Sequence, residues 1–184
     1  MSISRKEFIR KASLSGTCLC GFTSLVIASE VTKGSIRSTD NQNSLQQEWV
    51  SVLLSGLESS FKDEAIRKIL KPCSLAHYKD LKMDDILTPY QGNIKEFCRF
   101  LSDSWGWKVD FDEKRGIILG NENKEQCVCP MVNHSIEGTP SAICYCSEGF
   151  TEKMFSFIIG KPVSARVVSS ILRGDKTCVY EVRF

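Results

Sequence analysis

Two Cys-x-Cys steps carry the residues best suited to chemistry. The first step is Cys127 with Cys129, and the second is Cys144 with Cys146. In a β-strand, residues i and i+2 point to the same face, so each step would present two sulfurs on one side. If the two strands pair as an antiparallel hairpin, one register places Cys127 opposite Cys146 and Cys129 opposite Cys144. All of these thiols would then share one face of the hairpin.

Thiols gathered on one face suit a tetrahedral metal site, two cross-strand disulfides or a redox pair. The chain has 9 cysteines, and Cys18 and Cys20 lie near its N-terminus, which leaves 7 for the rest. An odd number excludes complete disulfide pairing within the domain. We therefore predict a bound metal, with zinc as the expected ion. The predicted ligands are Cys127, Cys129, Cys144 and Cys146, with Cys178 and His134 as substitutes.

Two other interpretations of these cysteines stay open. They could form disulfides or a redox pair, or they could simply pack, because free cysteines behave as small buried hydrophobes. Cys178 alternates with Tyr180 and Val182 on the apolar face of the last predicted strand, so a place in the core also explains it. His134 lies in the loop between the two steps. It could be a metal ligand there, or it could simply be a solvent-exposed loop residue.

Catalytic residues are unknown from the sequence. There is no Gly-x-Gly-x-x-Gly, phosphate loop, Gly-x-Ser-x-Gly or His-Glu-x-x-His pattern, and 2 histidines are too few for a three-histidine metal site. A cysteine catalyst needs a thiolate activated by a base or a cation, so His134 or Arg173 beside a cysteine would be the discriminating feature. We favour a small-molecule-binding or sensing domain with a structural metal site. A hydrolase or reductase that uses a cluster thiol is the alternative.

The overall composition is that of an ordinary globular domain. The chain has 184 residues, a net charge of +2, 42% hydrophobic residues and 25% charged residues. Charges of both signs are interspersed, and no basic face with interleaved aromatic residues appears. Nucleic acid is therefore a poor candidate partner, while a homodimer is an expected assembly.

The N-terminus resembles a twin-arginine export signal, with Lys6 in place of the second arginine. The weakly apolar run 12–28 is too short and too polar for a transmembrane helix. We expect residues 1–29 to be an export signal that is removed and residues 30–43 to be a linker. The domain would then act in the periplasm or elsewhere outside the cytoplasm of a prokaryote. The alternative is an amphipathic N-terminal helix on a cytoplasmic protein.

Hydrophobic periodicity organises residues 44–184 into helices followed by strands. Ser44 is a candidate N-cap, and apolar residues at helical spacing predict helices over 45–57, 62–70 and 94–101. After Gly106, alternation predicts strands, the two Cys-x-Cys steps among them. We predict a later helix over 150–158 and a closing hairpin over 163–184. The domain is thus α+β, with N-terminal helices followed by an antiparallel sheet with one inserted helix.

The C-terminal third carries a family resemblance. The runs Ile143–Ser147, Gly160–Val163 and Ser170–Asp175, followed by Cys178, resemble the end of 4-vinyl reductase-type domains. That resemblance implies a small α+β fold shared with haem-based nitric-oxide sensors and vesicle-tethering subunits. It also implies a small apolar or heterocyclic ligand and, in some relatives, zinc held by cysteines. A bacterial family with the double Cys-x-Cys pattern and a twin-arginine-type signal is the most similar. Amino-thiazoline carboxylic acid hydrolases share the Gly-turn-Cys ending, which supports the enzyme alternative.

Overall fold

The computed structural model describes residues 39–132 and 138–184. The predicted export signal, the first part of the predicted linker and His134 lie outside these ranges. None of the helices within the described ranges is long and apolar enough to cross a membrane.

Helices fill the first half of the described chain. Asn93 begins the last of them by accepting a hydrogen bond from the backbone N–H of Glu96 over 3.2 Å, and Gly106 ends it with a φ of 74°. A 3₁₀ turn at Lys71–Cys73 joins the second and third helices. The helices are α1 (Thr39–Ser60), α2 (Asp63–Leu70), α3 (Ser74–Asp80), α4 (Met83–Leu87) and α5 (Ile94–Trp105).

Helix α1 begins earlier than the sequence predicts. Ser44 lies inside α1, so its prediction as the N-cap is wrong. Thr39 and Asp40 suit the first turn of a helix as well as Ser44 does, and pattern alone does not separate these starts. The inner face of α1 packs on the core through Val50, Leu54 and Leu57. The outer face is exposed along Leu45, Trp49, Val52 and Leu53.

A four-stranded antiparallel sheet follows the helices, in the order β1-β2-β4-β3. Its inner positions alternate with outer ones, as in β4, where Tyr180 and Val182 are buried. The predicted α+β class is therefore confirmed, with helices first and an antiparallel sheet after them. The strands are β1 (Lys108–Asp112), β2 (Ile117–Asn121), β3 (Ser164–Ser169) and β4 (Val179–Arg183).

The predicted hairpin of the two Cys-x-Cys steps is wrong. Strand β2 pairs with β1 on one side and β4 on the other, and neither Cys-x-Cys step contributes a strand to this sheet. That segment forms a loop, and Pro130 removes one backbone donor from it. Cys144 instead begins helix α6 (Cys144–Ile159), which ends at Gly160 with a φ of 77°. Helix α6 is the inserted helix, and it starts well before the predicted 150–158.

The core consists of two clusters of buried residues that both include part of α6. One contains Met154, Phe155 and Ile158 together with Phe97 and other residues of α5 and the sheet. The other contains Cys144, Tyr145, Cys178 and Tyr180, and the partly buried Cys127 and Cys129 pack against it. The first turn of α6 therefore places the Cys144 thiol in the same core cluster as Cys127, Cys129 and Cys178.

Gly149 allows α6 to lie directly against the turn Lys71–Cys73. A Cβ atom at position 149 would lie 2.7 Å from the carbonyl carbon of Lys71 and 2.8 Å from its Cα. Real Cβ atoms do not approach backbone this closely, so only glycine fits this contact. The contact fixes the depth at which the first turn of α6 sits.

Candidate functional site

The predicted site residues lie on three segments that meet at one core cluster. Cys127 and Cys129 lie in the loop that follows β2. Cys144 is the first residue of α6, and Cys178 immediately precedes β4. His134 lies outside the described residues, so its part as a substitute ligand stays a prediction.

Helix α1 holds the loop that carries the first two thiols. The Gln47 side-chain Nε2 donates to the carbonyl oxygen of Pro130 over 2.9 Å and to that of Val132 over 3.4 Å. The backbone N–H of Val132 donates to the carbonyl oxygen of Cys129 over 3.1 Å. These bonds set the position of the loop relative to the core.

We call Cys127, Cys129, Cys144 and Cys178 the thiol cluster, because Cys144 and Cys178 are buried in one core cluster and Cys127 and Cys129 pack against that same cluster. Burial raises the pKa of Cys129 to about 12, and the Cys127, Cys146 and Cys144 thiols raise it further. Burial also raises the pKa of Cys144, with a smaller contribution from Cys127. Burial raises the pKa of Cys178 to about 11, and both Cys144 and Cys127 add to that shift. These thiols are therefore protonated at neutral pH and close together.

Backbone N–H groups face three sulfurs of the thiol cluster. The N–H of Cys129 lowers the pKa of Cys127, although burial outweighs it. The backbone N–H of Met131 likewise lowers the pKa of Cys129, and the backbone N–H of Ile171 lowers the pKa of Cys178. Hydrogen bonds to the charged form favour that form. The local backbone would therefore stabilise thiolates if an opposing charge overcame the effect of burial.

The fourth sulfur of the thiol cluster faces a serine hydroxyl. Cys144 Sγ lies 3.1 Å from Ser170 Oγ, and Ser170 is fully buried. Ser170 Oγ also accepts the backbone N–H of Leu172 over 3.2 Å, which leaves its own O–H free to donate to the sulfur. Ser170 and the Arg173 guanidinium both lower the pKa of Cys144, but burial outweighs them.

Cys146 lies on a different side of α6 from Cys144. Successive residues of an α-helix are rotated by about 100° around its axis. The side chains of Cys144 and Cys146, two residues apart, therefore point in nearly opposite directions. Burial raises the pKa of Cys146 to about 11, with contributions from Cys73 and Cys144. No hydrogen bond from the described part of the chain lowers the pKa of Cys146. Cys178, unlike Cys146, lies in the same core cluster as the other thiols and has a backbone donor to its sulfur.

Glu122 is a neighbour of the thiol cluster that the sequence did not identify. Its backbone N–H donates to the carbonyl oxygen of Cys178 over 3.0 Å, and its carboxylate accepts the Tyr180 hydroxyl over 3.1 Å. Burial raises the pKa of Glu122. Its charge in turn contributes to the raised pKa values of Cys178 and Cys144. Its place directly after β2 is the only signal that the sequence offers.

A buried ion pair anchors the first half of α6. Glu148 is fully buried, and it accepts Arg67 Nε over 3.1 Å and the backbone N–H of Val167 over 3.0 Å. Lys71 Nζ lies 3.5 Å from the same carboxylate. The Arg67 guanidinium also lies 4.2 Å from the ring centroid of Tyr145. These contacts join α6 to α2 and to β3 beside the thiol cluster.

The cysteines in the described ranges are all free thiols. In those same ranges, no three or more His, Cys, Asp or Glu side chains are spaced to hold a metal ion. The thiol cluster is therefore a gathering of neutral thiols whose sulfurs would have to move closer together to share a metal.

A cavity of about 180 Å³ lies apart from the cysteines. Ligand pockets usually span roughly 300–1,000 Å³, so this cavity is small for a ligand site. Its lining residues are Tyr78, Lys79, Lys82, Met83, Asp84 and Asp85.

Comparison with protein families gives one decisive match. The model of the family of unknown function DUF6144 matches residues 22–183, nearly the whole chain. The chain belongs to this family. A comparison with curated proteins finds no match.

Among solved structures, the chain is similar to a trafficking protein particle complex subunit 3 from Naegleria fowleri that is covalently bound to palmitic acid. The similarity covers 79% of this chain and 96% of that one, with a TM-score of 0.52 and 13% sequence identity. At this identity the likeness concerns the fold, and it agrees with the predicted α+β class. The predicted relation to 4-vinyl reductase-type domains stays a prediction.

Proposed function

We propose that this domain is a sensing module that binds one zinc ion at the thiol cluster. The observation that supports it is that four thiols from three segments lie together and that each faces a hydrogen-bond donor. Thiolates are common zinc ligands, and zinc removes their protons on binding. The donors would then stabilise the thiolates, as outer-shell partners do in zinc sites.

The arrangement favours a reversible site over a permanent structural one. A structural zinc site contributes directly to folding, whereas the core around Cys144 and Cys178 is also packed by buried side chains such as Leu54, Ile66 and Tyr180. Zinc would have to draw the loop carrying Cys127 and Cys129 towards α6. Movement of that loop, which Gln47 ties to α1, would report the presence of the metal.

A thiol-dependent hydrolase or reductase is the competing function. Arg173 does lie near Cys144, which is the feature that a cysteine catalyst would need. Burial nevertheless raises the pKa of Cys144 above its ordinary value. A buried, protonated thiol is a poor nucleophile, so the surroundings of Cys144 support the sensing proposal better than the enzyme.

Among the cysteines of residues 39–132 and 138–184, we expect no hyper-reactive thiol at neutral pH. Of these, Cys73 should be alkylated first, because its side chain is exposed to the reagent. Cys129 and Cys178, with pKa values of about 12 and about 11, should react slowly. Their rates should rise about tenfold per pH unit below those pKa values, because the thiolate fraction does. Iodoacetamide labelling with peptide mapping measures the order, and rapid labelling of Cys144 at pH 7 would support the enzyme instead.

Zinc titration of reduced, metal-free protein against a coloured chelator tests the proposal. The unaltered protein should bind one equivalent. The double variant Cys129→Ser/Cys144→Ser should lose more than about 100-fold in affinity, beyond the 10–100-fold typical of outer-shell changes. Cys178→Ser should be similarly impaired, whereas Cys146→Ser should bind nearly as the unaltered protein does.

Cys98→Ser is the matched control for this titration. Cys98 is half-buried on α5 and packs against the other core cluster. Cys98→Ser should leave zinc affinity unchanged while it removes one thiol, as Cys178→Ser does. Equal affinity in the double variant and the control, or no competition with the chelator, would contradict the proposal.

The remaining expectations extend this proposal. Export from a prokaryotic cytoplasm rests on the N-terminal residues 1–29, which the structure does not describe. A small apolar or heterocyclic ligand finds no support in the 180 Å³ cavity, so it stays a prediction. A homodimer also stays a prediction, and the exposed outer face of α1, where Trp49 is 64% exposed, is the surface that best supports it.

A further inference from the structure

Strand β3 lies at one edge of the sheet, where it pairs with β4 and has no second neighbouring strand among the described residues. In an antiparallel sheet the N–H and C=O of one residue point to the same side of the strand, and successive residues alternate. Ala165 and Val167 turn both groups away from β4, because side chains outside the sheet bind them. Outward backbone groups of this kind let a strand of another chain add to a sheet.

Two side chains of opposite charge bind the outward groups of Ala165. Glu152 Oε1 on α6 accepts the backbone N–H of Ala165 over 3.0 Å, and Lys71 Nζ donates to its carbonyl oxygen over 3.1 Å. Lys71 Nζ and Glu152 Oε1 also lie 2.6 Å apart. The pair therefore supplies the one donor and the one acceptor that a neighbouring strand would supply.

The same arrangement repeats at Val167. Glu148 Oε1 accepts the backbone N–H of Val167 over 3.0 Å. Arg173, in the 3₁₀ turn Ile171–Arg173 that follows β3, donates from Nη1 to the carbonyl oxygen of Val167 over 3.4 Å. An acidic and a basic side chain thus bind each of the two outward-facing residues.

We propose that Lys71, Glu148, Glu152 and Arg173 form an autoinhibitory contact that closes the β3 edge and prevents it from pairing with a strand of a second copy. We call these four side chains the edge lock. Hydrogen bonds to charged groups are stronger than neutral ones, so an incoming strand would have to replace strong bonds with weaker ones. The edge lock opens most readily at Lys71 and Glu152, whose side chains are 23% and 25% exposed, whereas Glu148 is fully buried.

Glu152→Ala tests the edge lock at its more exposed end. Sedimentation velocity is measured on the full chain across a wide range of concentration, with reductant and chelator present so that neither disulfides nor metal can link copies. The unaltered chain should keep one size, whereas Glu152→Ala should form larger species as its concentration rises. At the lowest concentration, amide hydrogen exchange at Ala165 should be about tenfold faster in the variant, because this N–H has lost its acceptor.

Glu113→Ala is the matched control, because it removes an exposed carboxylate that binds Lys95 over 2.8 Å, and it should sediment as the unaltered chain does. The double variant Glu152→Ala/Val168→Lys separates edge pairing from association caused by unfolding. Val168 is exposed on β3, and a lysine on an edge strand opposes the addition of another strand. The double variant should therefore return to the size of the unaltered chain. Larger species that persist in the double variant, or a Glu152→Ala chain that does not associate at any concentration, would overturn the proposal.

Discussion

Gly149→Ala should destabilise the protein by about 3 kcal/mol, at the upper end of the usual cost of overpacking. The added Cβ would meet the carbonyl carbon of Lys71 at 2.7 Å and its Cα at 2.8 Å. These atoms belong to backbone in the turn Lys71–Cys73, which cannot rotate away as a side chain can. Helix α6 would have to withdraw from α2 and from that turn. Chemical denaturation of the variant and the unaltered protein measures the loss.

Gly56→Ala is the matched control, since it makes the same change within another helix. Gly56 lies in α1, and a Cβ there meets nothing within 4 Å. Alanine should therefore stabilise α1 by roughly 0.5–1 kcal/mol, because it restricts the unfolded chain and favours the helix. If the two variants change the free energy of unfolding in the same direction by similar amounts, the contact at Gly149 is not the one described.

Glu148→Ala should lower the free energy of unfolding by about 3–5 kcal/mol, the usual cost of breaking a buried ion pair. The substitution removes the acceptor for Arg67 Nε, 3.1 Å away, and for the backbone N–H of Val167, 3.0 Å away. It also leaves Lys71 Nζ without one of its carboxylate neighbours. Glu148→Gln should be milder, because an amide oxygen still accepts one hydrogen bond.

Glu113→Ala is the control for this prediction. Glu113 pairs with Lys95 over 2.8 Å, but both side chains are largely exposed. Exposed pairs contribute about 0–1 kcal/mol, so the control should be close to neutral in urea denaturation. A loss below about 1 kcal/mol for Glu148→Ala would mean that the ion pair does not hold α6 in place.

Local patterns in the sequence predict much of the fold. The apolar stripe that includes Phe97 and Leu101 predicted helix α5, and Gly106 predicted where that helix ends. The alternation of apolar positions at Tyr180 and Val182 predicted strand β4, and both residues are buried there. In these elements hydrophobic periodicity and turn residues agree, so no distant contact was needed to find them.

The second Cys-x-Cys step could not be predicted in this way. Three alternating residues around Tyr145 fit a strand as well as the start of a helix, and short apolar runs do not separate the two. The choice depends on contacts distant in sequence: Glu148 with Arg67, and Gly149 with Lys71. Neither is visible in local periodicity.

The candidate site was predicted in its residue types but not in its geometry. Cys127, Cys129 and Cys144 do lie together, yet they lie on a loop and a helix rather than on a hairpin. Helical rotation separates Cys146 from Cys144, and Cys178 lies in the same core cluster as Cys144. The spacing of the cysteines identified the candidate residues. Only the order of the elements in the fold could show which of these residues lie together.

X-ray absorption at the zinc edge, on protein loaded with one equivalent of zinc, tests the central claim most directly. Four cysteine ligands should give a shell of about four sulfurs at ~2.3 Å with no nitrogen or oxygen contribution. In Cys178→Ser the sulfur count should fall, and in Cys146→Ser it should not. A shell dominated by nitrogen or oxygen at ~2.0–2.1 Å, or a sulfur count that falls in Cys146→Ser but not in Cys178→Ser, would contradict a zinc site at the thiol cluster.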